Sequence, residues 1–292
     1  MRFSDFLILM LCCLGWAGNL VLTSWALGNN PVPPFMLASV RAAFVVLFFF
    51  PFLRMPVPER WGLLLIVCAC VGPLHLSFLY TGLQTASATG SAIVSQMLIP
   101  MATLLSIMFL KERVGVKRGL AITGAFIGTI IMIYDPQDLS FDVGLLYIIG
   151  AYVAMAIGSI VIKKVGDVDW RQYVLWMAVM VLATLGPASL FFESGQAAVW
   201  ENSRIPLLGA ALYAALAVTI FAHGQYFNLL QKYDVSVVVP LTLVVPLLAA
   251  IMGVLFLGEN IHQRYYLGAA LILPCVYIIA KRQGVKPAGS KT

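Results

Sequence analysis

The sequence predicts an all-α integral membrane protein, with ten transmembrane helices arranged as two inverted five-helix repeats. Three observations predict it. Apolar residues make up 61% of the 292-residue chain and charged residues only 10%, against about 25% charged in soluble domains. Ten apolar segments run the length of the chain, each near the ~20 residues a helix needs to cross about 30 Å of hydrocarbon. The second half also repeats landmarks of the first. Phe109-Leu110-Lys111-Glu112 closes the fourth segment and Phe256-Leu257-Gly258-Glu259 closes the ninth, 147 residues later, with Pro100 and Pro246 in the middle of the respective segments. Five is odd, so two such copies cross in opposite directions, and inverted repeats of this kind give a protein two related access states from one unit.

Taken in order, the spans are 4–26, 34–53, 61–82, 88–110, 116–134, 143–163, 172–192, 206–230, 235–257 and 265–281. Segment 1 resembles a signal peptide only loosely. Its apolar run is too long and lacks a small-residue cleavage site, so it is expected to remain as a helix. It carries Trp16 and Asn19, and Trp25 sits near its outer end as an interface anchor. Segment 2 follows Pro33 and holds Arg41 eight residues in, about 12 Å deep at 1.5 Å per residue. Segment 3 carries Pro73, His75 and Tyr80, and segment 4 carries Gln96 and Pro100. Mid-helix prolines here and at Pro240 and Pro246 remove backbone hydrogen bonds and favour kinks. Segment 5 has Gly119, Gly124 and Gly128, a small-residue stripe suited to close helix packing. Packing within a monomer is the favoured account of that stripe, with a homodimer contact as the alternative.

The Asp135–Asp142 loop separates residues 1–137, the first repeat, from 138–283, the second; 284–292 reads as a cytoplasmic tail rich in Lys, Gly and Pro. Segment 6 carries Tyr152, segment 7 Trp176, and segment 8 His223, Tyr226 and Asn228. The loops leave no room for a separate soluble domain.

Charge orients the chain. With the N-terminus inside, fifteen of the 18 Lys and Arg residues fall on the cytoplasmic side: Arg2, Arg54, Arg60, Lys111, Arg113, Lys117, Arg118, Lys163, Lys164, Arg171, Lys232, Lys281, Arg282, Lys286 and Lys291. Arg204 and Arg264 fall outside, and Arg41 lies within a helix. The bias predicts cytoplasmic termini; the expected location is the inner (plasma) membrane. It also explains the net charge of +6 without nucleic acid as a partner.

No carboxylate lies in the middle of any span; the deep ionisable residues are Arg41, His75 and His223. Cys12, Cys13, Cys68, Cys70 and Cys275 show no metal-ligand spacing, and no metal or cofactor is expected. HExxH and GxSxG are absent, so an enzyme is not expected. Straight-helix counting from Trp61 puts His75 roughly 21 Å up, in the outer third, and counting from Pro206 puts His223 roughly 26 Å down, in the inner third. Each has a Tyr after it, Tyr80 and Tyr226, and the pair reads as a His and a Tyr near each mouth. A neutral histidine tied to a carbonyl is the competing account. Arg41 reads either as a structural brace on helix-end carbonyls or as a holder of a substrate carboxylate, since an intramembrane Arg faces the bundle or a cavity. Asn19, Gln96 and Asn228 suit interhelical hydrogen bonds.

Several stretches resemble the drug/metabolite transporter superfamily, specifically its EamA-type exporters. Leu14-Gly15-Trp16-Ala17-Gly18-Asn19 is similar to the opening of the family's first helix. Arg41 matches an Arg in its second, and Pro100…Glu112 and Pro246…Glu259 are similar to its paired signatures in helices 4 and 9. Gly144 through Lys164 resembles the start of the second repeat, with Tyr152 where a Trp is common. The resemblance covers about residues 5–281. It implies a cavity lined mainly by helices 1–4 and 6–9, and export of small metabolites, commonly amino acids, with aromatic amino-acid exporters as the nearest subgroup. The expected function is therefore secondary export of small neutral or zwitterionic solutes by alternating access, with Trp16, Asn19, His75, Tyr80, Gln96, Tyr152 and His223 contacting substrate. The partners are a small-molecule substrate and the lipid bilayer. A multidrug or other metabolite carrier of the same fold, or a receptor or scaffold that transports nothing, is the alternative.

Overall fold

The computed structural model describes residues 1–30, 32–51, 60–110, 115–135, 140–165, 169–233, 238 and 241–281. Among them, helices occupy all ten spans. Helix 1 is Phe3–Ser24, continued by a π-helical Trp25–Asn29; helix 2 is Pro34–Phe49; helix 3 is Trp61–Gly82; helix 4 is Ala88–Ser95 and Leu98–Leu110; helix 5 is Val116–Ile133. Helix 6 is Val143–Val161, helix 7 Trp170–Phe192, helix 8 residues 204–232, helix 9 Val244–Leu257 and helix 10 Gln263–Lys281. Six of the helices are long and apolar enough to cross a membrane by themselves, and Pro34–Phe49, Val244–Leu257 and Gln263–Ile279 are shorter apolar helices. A short helix in the loop between helices 7 and 8, Gln196–Asn202, and an antiparallel pair of two-residue strands, Tyr134–Asp135 with Ser140–Phe141, were not expected. Lys111, Glu112, Pro136, Pro240 and the tail from Gly284 lie outside the described residues, as do Arg54, Arg113, Arg282, Lys286 and Lys291.

Local chemistry sets the helix ends. Ser87 begins helix 4 by accepting from Gly90 N at 3.0 Å, Asp142 begins helix 6 by accepting from Leu145 N at 3.0 Å, and Asp169 begins helix 7 by accepting from Arg171 N at 2.8 Å. Each side-chain oxygen satisfies an amide with no partner inside its helix. Gly258, at φ 65°, ends helix 9 in the left-handed conformation, which glycine adopts without steric strain.

Packing carries the symmetry of the repeat. Helix 5 packs on helix 10, helix 2 on helix 7 and helix 4 on helix 9. Helix 3 packs on helix 6 as helix 8 packs on helix 1, and helix 4 packs on helix 6 as helix 9 packs on helix 1. Exchanging the halves maps this contact set onto itself. The exterior is apolar, with Leu190 75% and Phe191 83% exposed, as lipid-facing side chains must be when water is not the solvent. The glycine stripe has a partner within the chain. A Cβ on Gly128 would lie 2.8 Å from Ile272 Cγ1, and one on Gly268 would lie 2.9 Å from the Gly128 carbonyl. Helices 5 and 10 therefore approach backbone to backbone. Gly119, by contrast, meets nothing within 4 Å.

Candidate functional site

Helices 1–4 and 6–9 enclose a cavity of about 510 Å³, to which helices 5 and 10 contribute no lining residue. Its volume falls within the usual range for small-molecule sites. Trp16, Asn19, Arg41, His75, Gln96, Tyr152 and His223 all line it.

Two proline-bearing helices shape the walls. Pro100 has no N–H and crowds the carbonyl four residues back, which is that of Gln96. Helix 4 breaks at that point, between Ser95 and Leu98, and the Gln96 carbonyl accepts instead from Ile99 N at 3.3 Å. Pro246 stands in the same relation to Thr242, whose carbonyl accepts from Val245 N at 3.0 Å just before Val244–Leu257. Gln96 and Thr242 both line the cavity. A discontinuous helix such as helix 4 exposes backbone polarity only where it faces a cavity.

Helix 8 and helix 3 each change pitch before a histidine. Cys70–Leu74, with Pro73 inside, is π-helical and His75 follows it; Ala214–Ala222 is π-helical and His223 follows it. Such widened turns are frequent at functional sites. His75 is buried, and its Nδ1 lies 2.9 Å from the Ala151 carbonyl oxygen. A carbonyl only accepts, so Nδ1 carries the proton. The ring also stands edge-on to Tyr152, with centroids 5.4 Å apart. Trp16 contacts His223 at 5.9 Å and Tyr226 at 5.2 Å between centroids.

The structure brings the two histidines together and overturns the reading of Tyr80 as a lining residue. Both histidines line one chamber, reached from helices 3 and 8. Tyr80 does not line the cavity. It is 1% exposed, and its hydroxyl accepts from Arg41 Nη1 at 3.0 Å.

Arg41 itself is buried and braced by hydroxyls, not by helix-end carbonyls. Nη1 donates to Tyr80 and Nη2 to Thr219 Oγ1, also at 3.0 Å. Thr219 in turn donates to the Ala214 carbonyl at 2.9 Å, five residues back across the π segment. Two of the guanidinium's five N–H groups are thus engaged, and among the described residues no carboxylate pairs with it. Thr219 and Tyr226 were not singled out as contacts, although with His223 they lie four and three residues apart, the spacing of one helix face.

Carboxylates sit at the ends of the bundle. At the end of helix 7, Glu193 accepts from Phe35 N at 2.7 Å and Met36 N at 3.1 Å, capping helix 2. Glu259 accepts from Ala88 N at 2.5 Å, Thr89 N at 3.1 Å and Thr89 Oγ1 at 2.6 Å, capping helix 4. The repeated Glu is thus a clasp from the second half onto the first. Near the start of helix 1, Asp5 accepts from Lys232 Nζ at 2.6 Å and from the Tyr233 hydroxyl at 2.5 Å.

A profile of the EamA-like transporter family matches residues 3–134 and again residues 142–281. This chain belongs to that family. It is a multi-pass membrane protein of a transporter fold, and its paired halves correspond to the two matches. A probable amino-acid metabolite efflux pump of Escherichia coli (strain K12) is 26% identical over 287 residues, covering 94% of each chain. An uncharacterized transporter of Synechocystis is 27% identical, over 87% of this chain and 83% of its own. A WAT1-related chloroplastic protein of Arabidopsis thaliana is 24% identical over 86% of this chain and 64% of its own. A solved crystal structure aligns with a TM-score of 0.60 at 19% identity over 97% of this chain and 99% of the other, which shows a shared fold.

Proposed function

We propose that this EamA-family protein exports small amino-acid-type metabolites across the inner membrane by alternating access, with both termini cytoplasmic. One observation carries the reading. The cavity between the two halves holds a buried guanidinium, Arg41, whose protein partners are two neutral hydroxyls. A buried cation without a carboxylate is costly unless something else supplies the charge, and a solute carboxylate does so with bidentate geometry.

Trp16, Asn19, His75, Gln96, Tyr152 and His223 would contact the solute, and Tyr80 would hold Arg41 in place. The aromatic walls suit an apolar solute body. The two halves, 1–137 and 138–283, would rock about this chamber. The basic bias of the loops supports the orientation, and the likeness to a probable amino-acid metabolite efflux pump of Escherichia coli supports export.

Radiolabelled flux in proteoliposomes, with and without an imposed pH gradient, tests this. Saturable flux of amino-acid-type solutes is expected, lost in Arg41→Gln. The described lining residues include no acidic relay, so flux is expected to persist without the gradient. Absence of flux for every such solute would sink the proposal in favour of a carrier for other compounds or a protein that transports nothing.

A further inference from the structure

The cavity's charge inventory points to a narrower substrate. We propose that it takes monocarboxylates with an aromatic or apolar body and no free ammonium group, such as N-acylated amino acids, and that membrane potential drives their exit. The inference rests on the transport reading above and narrows its solute.

Among the described residues, Arg41 is the one Lys, Arg, Asp or Glu that lines the chamber. His75 and His223, neutral or protonated, add nothing negative. The described carboxylates that could balance a solute cation are engaged elsewhere: Glu193 and Glu259 on helix caps, Asp5 on Lys232. Asp142 caps helix 6 and lies 4.0 Å from Arg264. A carboxylate entering the chamber therefore finds its counter-charge. An α-ammonium attached to it finds neutral acceptors and a guanidinium that repels it. Cation–π contact with Trp16 or Tyr226 offers only a small return against desolvating an ammonium. Capping the amine as an amide removes that penalty and leaves groups that Gln96 and Asn19 can meet with hydrogen bonds.

The same charge balance supplies a driving force. Whatever charge the protein carries on each stroke returns on the next, so a full cycle moves the charge of the solute alone. For a monoanion leaving an inside-negative cell, 100 mV is worth roughly a 50-fold concentration ratio. No acidic proton relay is required.

The test uses the full-length protein in proteoliposomes preloaded with labelled N-acetyl-L-phenylalanine, L-phenylalanine or L-phenylalaninamide, with valinomycin and potassium gradients setting the potential. The N-acetyl compound should show kcat/KM for efflux about tenfold or more above phenylalanine, and the cationic amide should not be carried. Its efflux should speed up when the lumen is made negative and slow when it is made positive. Phenylalanine carried as well as or better than its N-acetyl derivative would overturn the inference while leaving the transport reading intact. Efflux indifferent to voltage would overturn the driving force. Failure of all three solutes would remove the transport reading for this solute class and the inference with it. The comparison is made within the wild-type protein, so it does not depend on whether an Arg41 variant folds.

Discussion

Glu259→Ala should loosen the clasp between the two halves, and its size follows from the bonds at stake. The carboxylate accepts from two backbone amides and one hydroxyl at the start of helix 4. Bonds to a charged group run about 1.5–3 kcal/mol each when nothing replaces them. Glu259 is only half-buried, so water takes up part of that loss. A lost N-terminal cap costs about 0.5–2 kcal/mol, and the lost interaction with the helix dipole adds about 0.3–1 kcal/mol. The sum is about 1–3 kcal/mol. Carried over from soluble domains of 150–250 residues, where 1 kcal/mol moves Tm by about 2–4 °C, the midpoint lies about 4–8 °C lower for a 2 kcal/mol loss. Glu259→Gln keeps one acceptor oxygen and should fall between Ala and wild type. Gly253→Ala should mimic it, because the new Cβ would lie 2.6 Å from the Glu259 carboxylate. Thermal unfolding in detergent, with the exposed Glu201→Ala as control, measures the series. In a double-mutant cycle, Thr89→Ala should couple to Glu259→Ala by at least about 0.5 kcal/mol. If Glu259→Ala matched the Glu201 control and showed no coupling to Thr89, the clasp would contribute nothing and the reasoning would be wrong.

Three further outcomes are expected. Tyr80→Phe leaves one Arg41 N–H without its partner in a buried setting, a loss of about 1–3 kcal/mol, and should raise KM for a carboxylate solute at least about fivefold; an unchanged KM would show that Tyr80 does not position Arg41. Pro100→Ala restores an amide able to reach the Gln96 carbonyl, so it should raise thermal stability and slow transport, and Pro246→Ala should do the same through Thr242. Transport at the wild-type rate in both variants would argue that the two prolines serve packing alone. Gly268→Ala forces a methyl against the Gly128 carbonyl and Met132, and overpacking of that kind costs about 1–3 kcal/mol; a wild-type unfolding midpoint would mean that helices 5 and 10 separate easily.

Much of the site was legible in the sequence. An ionisable or amide side chain inside an apolar run is costly wherever it faces lipid, so Arg41, His75, Asn19, Gln96 and His223 had few places to go but an interior chamber. Thr219 gave no such signal, because a lone threonine is cheap in a membrane helix. Its importance depends on a π-helical segment that turns it towards Arg41 from another part of the chain. Tyr80 was misread for the same reason. Aromatic residues suit cavity walls and packing equally, and only the neighbour at 3.0 Å separates the two.

By itself the sequence determined the membrane class, the apolar helical segments and the doubling of the chain. Bilayer thickness and the need to satisfy every backbone amide within a helix make span length and hydropathy local properties, readable along one dimension. Only the tertiary structure decided what the repeated Glu259 does, that both histidines share one chamber, and that Arg41 meets hydroxyls and no carboxylate. These facts join residues 39 to 178 positions apart. They depend on how helices rotate and cross, which the periodicity of any single span does not encode.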